Sequence, residues 1–440
     1  MTGMKNEEGM ADPASVDGDR TIMPPALDDA RALFARLHTI GFDGLGMTRA
    51  SYGDGENQAH ALLADMARAR RLLVRRDWAS NLFITLPGRD RTLPAVMTGS
   101  HLDTVPCGGN YDGAAGVLAG FACLCGWADA GYVPARDVVL IITRAEESVW
   151  FPVSYIGSKS AFGLLEESAL AAVRRDDGGT LADHMRASGG QPDHIHTAPV
   201  LQPSDLACFV ELHIEQGPVL PAADVPVGIV TGICGSVRYR AATIHGRYAH
   251  SGATPRPFRA DAVMAAATLM TVMQAEWRKV ETEGGEMTLT FGVCHTDAAQ
   301  ANFSAVAGRV DLSIDIRSRD PGLLGRMEAA LMAHARTVED EYGVVVDLGA
   351  RTQSAPAAMD APLQAEAVAL ARRAGIPAVT LPSGAGHDAA IFAGQGVPTV
   401  MLFVRNANGS HNPYEAMEFD DFALATRLLE RLLYLRAEQG

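Results

Sequence analysis

Of five residues able to bind a divalent cation, four follow, or end, apolar runs that read as buried strands. His101 comes after Leu93 to Thr98, and Glu147 after Asp137 to Thr143. His213 ends Cys208 to Ile214, and His411 lies in the loop beyond Pro398 to Val404. The fifth, Asp112, lies nine residues past Asp103 between glycines, in Gly108-Gly109-Asn110-Tyr111-Asp112-Gly113. In open α/β sheets a site forms beyond the carboxyl ends of the strands, so separate segments deliver these groups to one rim. A carboxylate has two oxygens. Asp112 shared by two cations would give His101, Asp112 and His213 to one, and Asp112, Glu147 and His411 to the other. Asp112 reads equally as a helix N-cap. Mixed nitrogen and oxygen donors suit Zn, Mn, Co or Ni without choosing among them.

Neighbouring residues have distinct tasks. Asp103, two residues after His101, can orient that imidazole through its other N–H. Of the adjacent acids in Thr143-Arg144-Ala145-Glu146-Glu147, Glu147 is the ligand. Glu146 is then the base that takes a proton from water activated by the cations. Alternation places Glu211, His213 and Glu215 on one strand face. Asn408 to Pro413 is a turn-rich loop able to hold His411 rigidly.

The elements that must position these groups follow from periodicity. Leu33, Leu37 and Ile40 recur at helical spacing, and helices are predicted over Leu27 to Ile40, Gln58 to Leu73 and Gly113 to Ala130. With the apolar runs they predict an α/β domain with a mostly parallel sheet covered on both faces. From Gly235 the rhythm becomes β-α-β-β-α-β: strand Ser236 to His245, helix Ala260 to Val280, strands Met287 to Cys294 and Arg309 to Arg317, helix Pro321 to Val338, strand Val344 to Leu348. That is a ferredoxin-like order. The expected division is a tail over 1–25, a first catalytic part over 26–234, an insert over 235–353 and a second catalytic part over 354–440.

The 440 residues carry 52 acidic and 37 basic side chains, a net charge of −15, which argues against a nucleic-acid partner. No apolar run reaches membrane-spanning length, and Met1 to Pro25 lacks the apolar core of a signal peptide. Six scattered cysteines, none in a C-x-x-C pair, fit thiols in a cytoplasmic protein. Cys107 follows a strand end, but no partners suited to a thiol nucleophile accompany it in the sequence.

Gly99-Ser100-His101-Leu102-Asp103-Thr104-Val105, Ala145-Glu146-Glu147, Glu211-Leu212-His213-Ile214-Glu215-Gln216-Gly217, Ser383-Gly384-Ala385-Gly386-His387 and Ser410-His411-Asn412-Pro413 stand in this order. Together they resemble the dinuclear-metal amidohydrolases of the M20 peptidase superfamily, in the branch of N-carbamoyl-L-amino acid hydrolase, β-ureidopropionase and allantoate amidohydrolase. The resemblance implies a metallopeptidase-like catalytic domain, the insert as a lid, and a homodimer through that lid. It implies two divalent ions per subunit on His101, Asp112, Glu147, His213 and His411, with Glu146 as general base. It implies His250 polarising the scissile carbonyl in the partner's site, and substrate contacts from Gln216, Arg317, Gly384 and Ala385. The implied reaction is hydrolysis of a ureido acid to amino acid, CO₂ and ammonia. Allantoate, ureidoglycolate, 3-ureidopropionate or an N-acyl amino acid are alternative substrates, and a non-catalytic binding protein is the remote alternative. Two departures stand out. Trp150 replaces an arginine usual in the branch, and the asparagine before the Asp-x-Arg strand is displaced to Asn302 or lost to Ser304.

Overall fold

A computed structural model describes residues 23–439. The predicted tail therefore lies outside the described residues up to position 22. Ala26 already donates its N–H to the carbonyl of Ala122, at 2.9 Å.

Nine strands of the described residues form one sheet. Across it run Leu73–Arg76, Leu82–Leu86, Val138–Thr143, Ala95–His101, Leu206–Ile214, Thr399–Val404, Val227–Ile233 and Ala357–Ala358, with Ala378–Ser383 also paired to Val227–Ile233. The four strands from Val138–Thr143 to Thr399–Val404 are parallel to one another. They are the runs that read as continuous apolar stretches, and Val138–Thr143 is buried along its whole length. The flanks differ from the parallel expectation. Leu73–Arg76 and Leu82–Leu86 form an antiparallel pair because only residues 77–81 join them, too few for a crossover. Leu82–Leu86 and Val227–Ile233 likewise run antiparallel to the central strands they meet, Val138–Thr143 and Thr399–Val404. The sheet is thus mixed, parallel at its centre.

One face is covered by helices Leu27–Gly41, Ala114–Asp129 and Phe419–Glu438. Ala114–Asp129 is apolar nearly all round and is buried from Ala114 through Cys125, as a helix enclosed by others must be. Phe209, Phe392 and Phe403 belong to the core on the other face. The predicted helix from Gln58 begins earlier, at Asp54, and ends at Ala69. The Glu56 carboxylate accepts the Tyr52 N–H at 2.7 Å, which holds the chain at that start.

Gly235–His245 opens a second, five-stranded antiparallel sheet with its own core. The order is Val345–Asp347, Gly235–His245, Arg309–Ser318, Thr288–Thr296, with Arg351–Ser354 also on Gly235–His245. The first four give the 4-1-3-2 arrangement of a ferredoxin-like unit. Val310, Leu312, Ile314 and Ile316 are all buried against helices Ala262–Thr282 and Pro321–Tyr342, as their alternation required. Asp261 and Asp320 accept backbone N–H groups at the starts of those helices. Ser354 pairs with Ser236, so the chain leaves this sheet beside the point where it entered.

Burial also strains the main core. Trp127 Nε1 donates to Glu430 Oε1 at 3.1 Å, and burial pushes the Glu430 carboxyl up to about 7. A raised carboxyl pKa favours the folded state at low pH, and that advantage is lost as pH rises from the ordinary carboxylate range through about 7. Glu430→Gln should therefore raise the melting temperature at pH 8, by roughly 1–3 kcal/mol of stability. The gain should shrink at pH 5.5; an equal gain at both values would contradict this account.

Candidate metal centre and active site

Asp112 lies just before the buried helix Ala114–Asp129, with Gly113 as the residue that starts it. No side chain caps that helix, so Asp112 is not used as an N-cap. Its carboxylate points instead in two directions. Oδ1 lies 3.1 Å from His213 Nε2 and 3.6 Å from His101 Nε2. Oδ2 lies 3.3 Å from His411 Nε2, which is itself 3.3 Å from Glu147 Oε1. The structure thus brings together two groups that share Asp112: His101, Asp112 and His213, and Asp112, Glu147 and His411.

The donor chemistry fits cations. His101 Nδ1 lies 3.0 Å from the Asp103 carbonyl, and His213 Nδ1 lies 2.9 Å from the Ile214 carbonyl. A carbonyl can only accept, so each Nδ1 carries a proton, and in the neutral ring each Nε2 presents a lone pair. Those lone pairs face the oxygen lone pairs of Asp112. Acceptors set against acceptors in a buried site need a proton or a metal ion between them. The left-handed Gly113, at φ 63°, sits against the His101 ring, where any β-carbon would collide with the imidazole.

More acids surround this centre than its histidines can neutralise. Burial pushes Glu146 well above the usual carboxylate range, offset in part by His101 and reinforced by Glu147. Burial also raises Glu147, against the opposing hydrogen bond from His411. Asp112 is buried too, yet hydrogen bonds from His213 and His411 hold it well below that range. His411 is pushed up to about 11 by hydrogen bonds to Asp112 and Glu147. Without metal this cluster stores protons where a cation would sit.

Asp103 does more than orient His101. Its carbonyl makes the closer contact, and its Oδ1 is 3.4 Å from the same Nδ1. Both carboxylate oxygens accept backbone N–H groups, Glu146 at 3.1 Å and Glu147 at 3.2 Å, and Ser51 Oγ donates at 2.6 Å. Asp103 therefore positions one histidine and the two-acid turn together. That turn passes through Ala145 at φ 53° and is pinned below by a fully buried pair, Arg144 Nη1 to Glu56 Oε2 at 2.7 Å. Gln216 and His411 are also left-handed, so three of the loops around the centre contain a strained residue.

The substrate-side residues are placed variously. Gln216 Nε2 donates to Asp112 Oδ2 at 2.9 Å, so its amide touches the shared carboxylate. Arg317 donates to Asp315 Oδ2 and, at 2.9 Å, to the Gly384 carbonyl. The Gly384 and Ala385 carbonyls are both occupied, by Arg317 and by Ser383 Oγ. His250 and Asn302 line one shallow pocket of the second unit. Among the described residues no hydrogen bond or ion pair joins either to the metal-ligand cluster. Trp150 is buried, with Nε1 donating to the Thr104 carbonyl at 2.7 Å. Cys107 Sγ lies 3.3 Å from Asp43 Oδ2, whose hydrogen bond raises the thiol pKa and so disfavours a nucleophilic thiolate.

Two supporting acids escaped the sequence reading. Glu415 Oε1 accepts the N–H groups of Tyr111 and Asp112, at 2.8 and 3.2 Å, while Ser410 Oγ lies 2.6 Å from both Glu415 Oε2 and Asp112 Oδ2. Asp388 accepts from Ser158 and Thr143, each at 2.5 Å. Position after a strand was the signal used for the ligands. Glu415 lies in a loop and Asp388 starts a short helix, so neither carried it.

The model of the peptidase family M20/M25/M40 matches residues 97–435. Allantoate amidohydrolase of Escherichia coli (strain K12) is 33% identical over 406 residues, covering 92% of this chain and 96% of that protein. N-carbamoyl-L-amino acid amidohydrolase of Geobacillus stearothermophilus is 33% identical over 411 residues, covering 92% and 98%. The crystal structure of an amidase of the hydantoinase/carbamoylase family from Burkholderia multivorans superposes with a TM-score of 0.84 at 27% identity, covering 95% of this chain and 99% of that one. With the match spanning most of its length, this chain belongs to the peptidase family M20/M25/M40.

Proposed function

We propose that this chain hydrolyses the carbamoyl C–N bond of a ureido acid, with an N-carbamoyl-L-amino acid as the first choice and allantoate as the second. The observation that carries the reading is the Asp112 carboxylate shared between two ligand sets, with Glu146 beside them. The two relatives at 33% identity are named for these two substrates.

His101, Asp112 and His213 would hold one divalent ion, and Asp112, Glu147 and His411 the other. The ions, Zn, Mn, Co or Ni, would supply Lewis acidity to the carbonyl and to water when bound. Glu146 takes the proton of the attacking water, a task suited to its raised pKa. It then hands that proton to the leaving nitrogen, so that one water is consumed and amino acid, CO₂ and ammonia are released. Asp103 holds Glu146 and Glu147 at fixed spacing through their N–H groups. Arg317 is preset by Asp315 and offers its guanidinium to the substrate carboxylate. His250 and Asn302 serve the site of a second subunit, in a homodimer joined through the second unit, which also acts as a lid. No helix of the described residues is long and apolar enough to cross a membrane, and we read the enzyme as cytoplasmic.

Three measurements test this reading. Metal analysis after dialysis should find roughly two ions per chain, and Asp112→Asn should lose more than either His101→Ala or His411→Ala, because it serves both sets. Glu146→Gln should lower kcat for ureido acids about 10²–10⁴-fold while the metal content stays. Mixing Glu146→Gln with His250→Ala subunits should restore about a quarter of wild-type activity, since half the random dimers pair one intact site. No restoration would place His250 outside catalysis in the partner.

A further inference from the structure

A pocket of about 540 Å³ opens beside the metal centre, between the two units. Glu147 and His411 of the candidate ligand sets line it, with the apolar Trp150 and Val173 and with Arg175 and Arg240. Arg240 comes from Gly235–His245 and donates to Ser148 Oγ at 3.2 Å. Arg175 is tied through its backbone N–H to the Trp150 carbonyl at 3.0 Å.

Neither guanidinium has a carboxylate within ion-pair distance among the described residues, in a chain of net charge −15. Their neighbours differ. Arg174 lies against Asp176 and Asp177, and Arg238 against Asp315. Two unmatched guanidiniums in one pocket form a ready site for a carboxylate or similar planar anion. Arg317, the proposed partner of the substrate's α-carboxylate, contacts Gly384 and does not line this pocket.

From this juxtaposition we infer that the substrate is a ureido acid with two carboxylates: Arg317 takes the α-carboxylate, and Arg175 with Arg240 takes a second one at the end of the side chain. The inference rests on the ureido-hydrolase reading above. The apolar Trp150 and Val173 accommodate the intervening methylenes, and Glu147 and His411 in the same lining place the ureido carbon beside the metal centre. Arg175 and Arg240 are specificity residues, remote from the bond that breaks.

The test compares N-carbamoyl-L-glutamate with N-carbamoyl-L-glutamine, nearly equal in shape but differing in charge, on metal-loaded enzyme. The wild type should prefer the glutamate derivative by about ten-fold or more in kcat/KM, through KM. Arg175→Gln with Arg240→Gln should bring the ratio near one, and Arg240→Lys should retain part of it. Calorimetry on the metal-loaded Glu146→Gln protein should show the same charge preference in binding, independently of turnover. Equal use of the two compounds by wild type, or an unchanged ratio in the double variant, overturns the assignment. Turnover of N-carbamoyl-L-alanine with neither longer compound accepted also overturns it, while leaving the ureido reading intact. Failure of every ureido acid removes that reading, and the inference with it.

Discussion

Everything around the active site answers to one constraint: a buried carboxylate, Asp112, with imidazole nitrogens on both of its oxygens. His101 and His213 meet one oxygen, and His411 meets the other beside Glu147. The rest of the fold holds these groups in an arrangement that needs a proton or a cation between them. His101 and His213 are each locked by a carbonyl behind the ring, and the Asp112 backbone is locked by Glu415. Such preorganisation costs stability that a metal ion can return on binding. This is why strained backbone, buried charge and glycine packing all collect here.

Support for the centre comes from far along the chain. Glu56 in the second helix neutralises Arg144 beneath the two-acid turn, and Ser51 reaches Asp103. Ser410 and Glu415, three hundred residues beyond Asp112, close its outer side. The parallel centre of the sheet makes this convergence possible, because its strands end together and their following loops open on one rim. The second unit brings Arg238, Arg240 and Arg317 to that side, the first and last of them paired with Asp315.

Much of this was legible in the residues. The apolar runs ending near His101, Glu147 and His213 marked the central strands, since a strand buried on both faces must be apolar throughout. The alternation of Val310, Leu312, Ile314 and Ile316 marked a strand buried on one face, and the structure buries those four. The antiparallel flanks were not legible, because strand direction is a property of pairing rather than of composition. Strands Val227–Ile233 and Ala378–Ser383 were missed as well; glycines and a proline interrupt their pattern, and pairing to neighbours distant in sequence defines them.

By itself, then, the order of residues determined which groups could bind metal, that they would follow strands, and that a ferredoxin-like unit interrupts the larger sheet. Those properties depend on residue type and local period, which a chain carries with it unfolded. Only the tertiary structure decided that Asp112 is shared rather than used as a cap, and that the Asp103 carboxylate holds Glu146 and Glu147. It alone decided that Arg175 and Arg240 meet in one pocket, and that Trp150 packs with its indole on Thr104. Each of these is a contact between segments distant in sequence, and its geometry exists only once the sheet has brought them together.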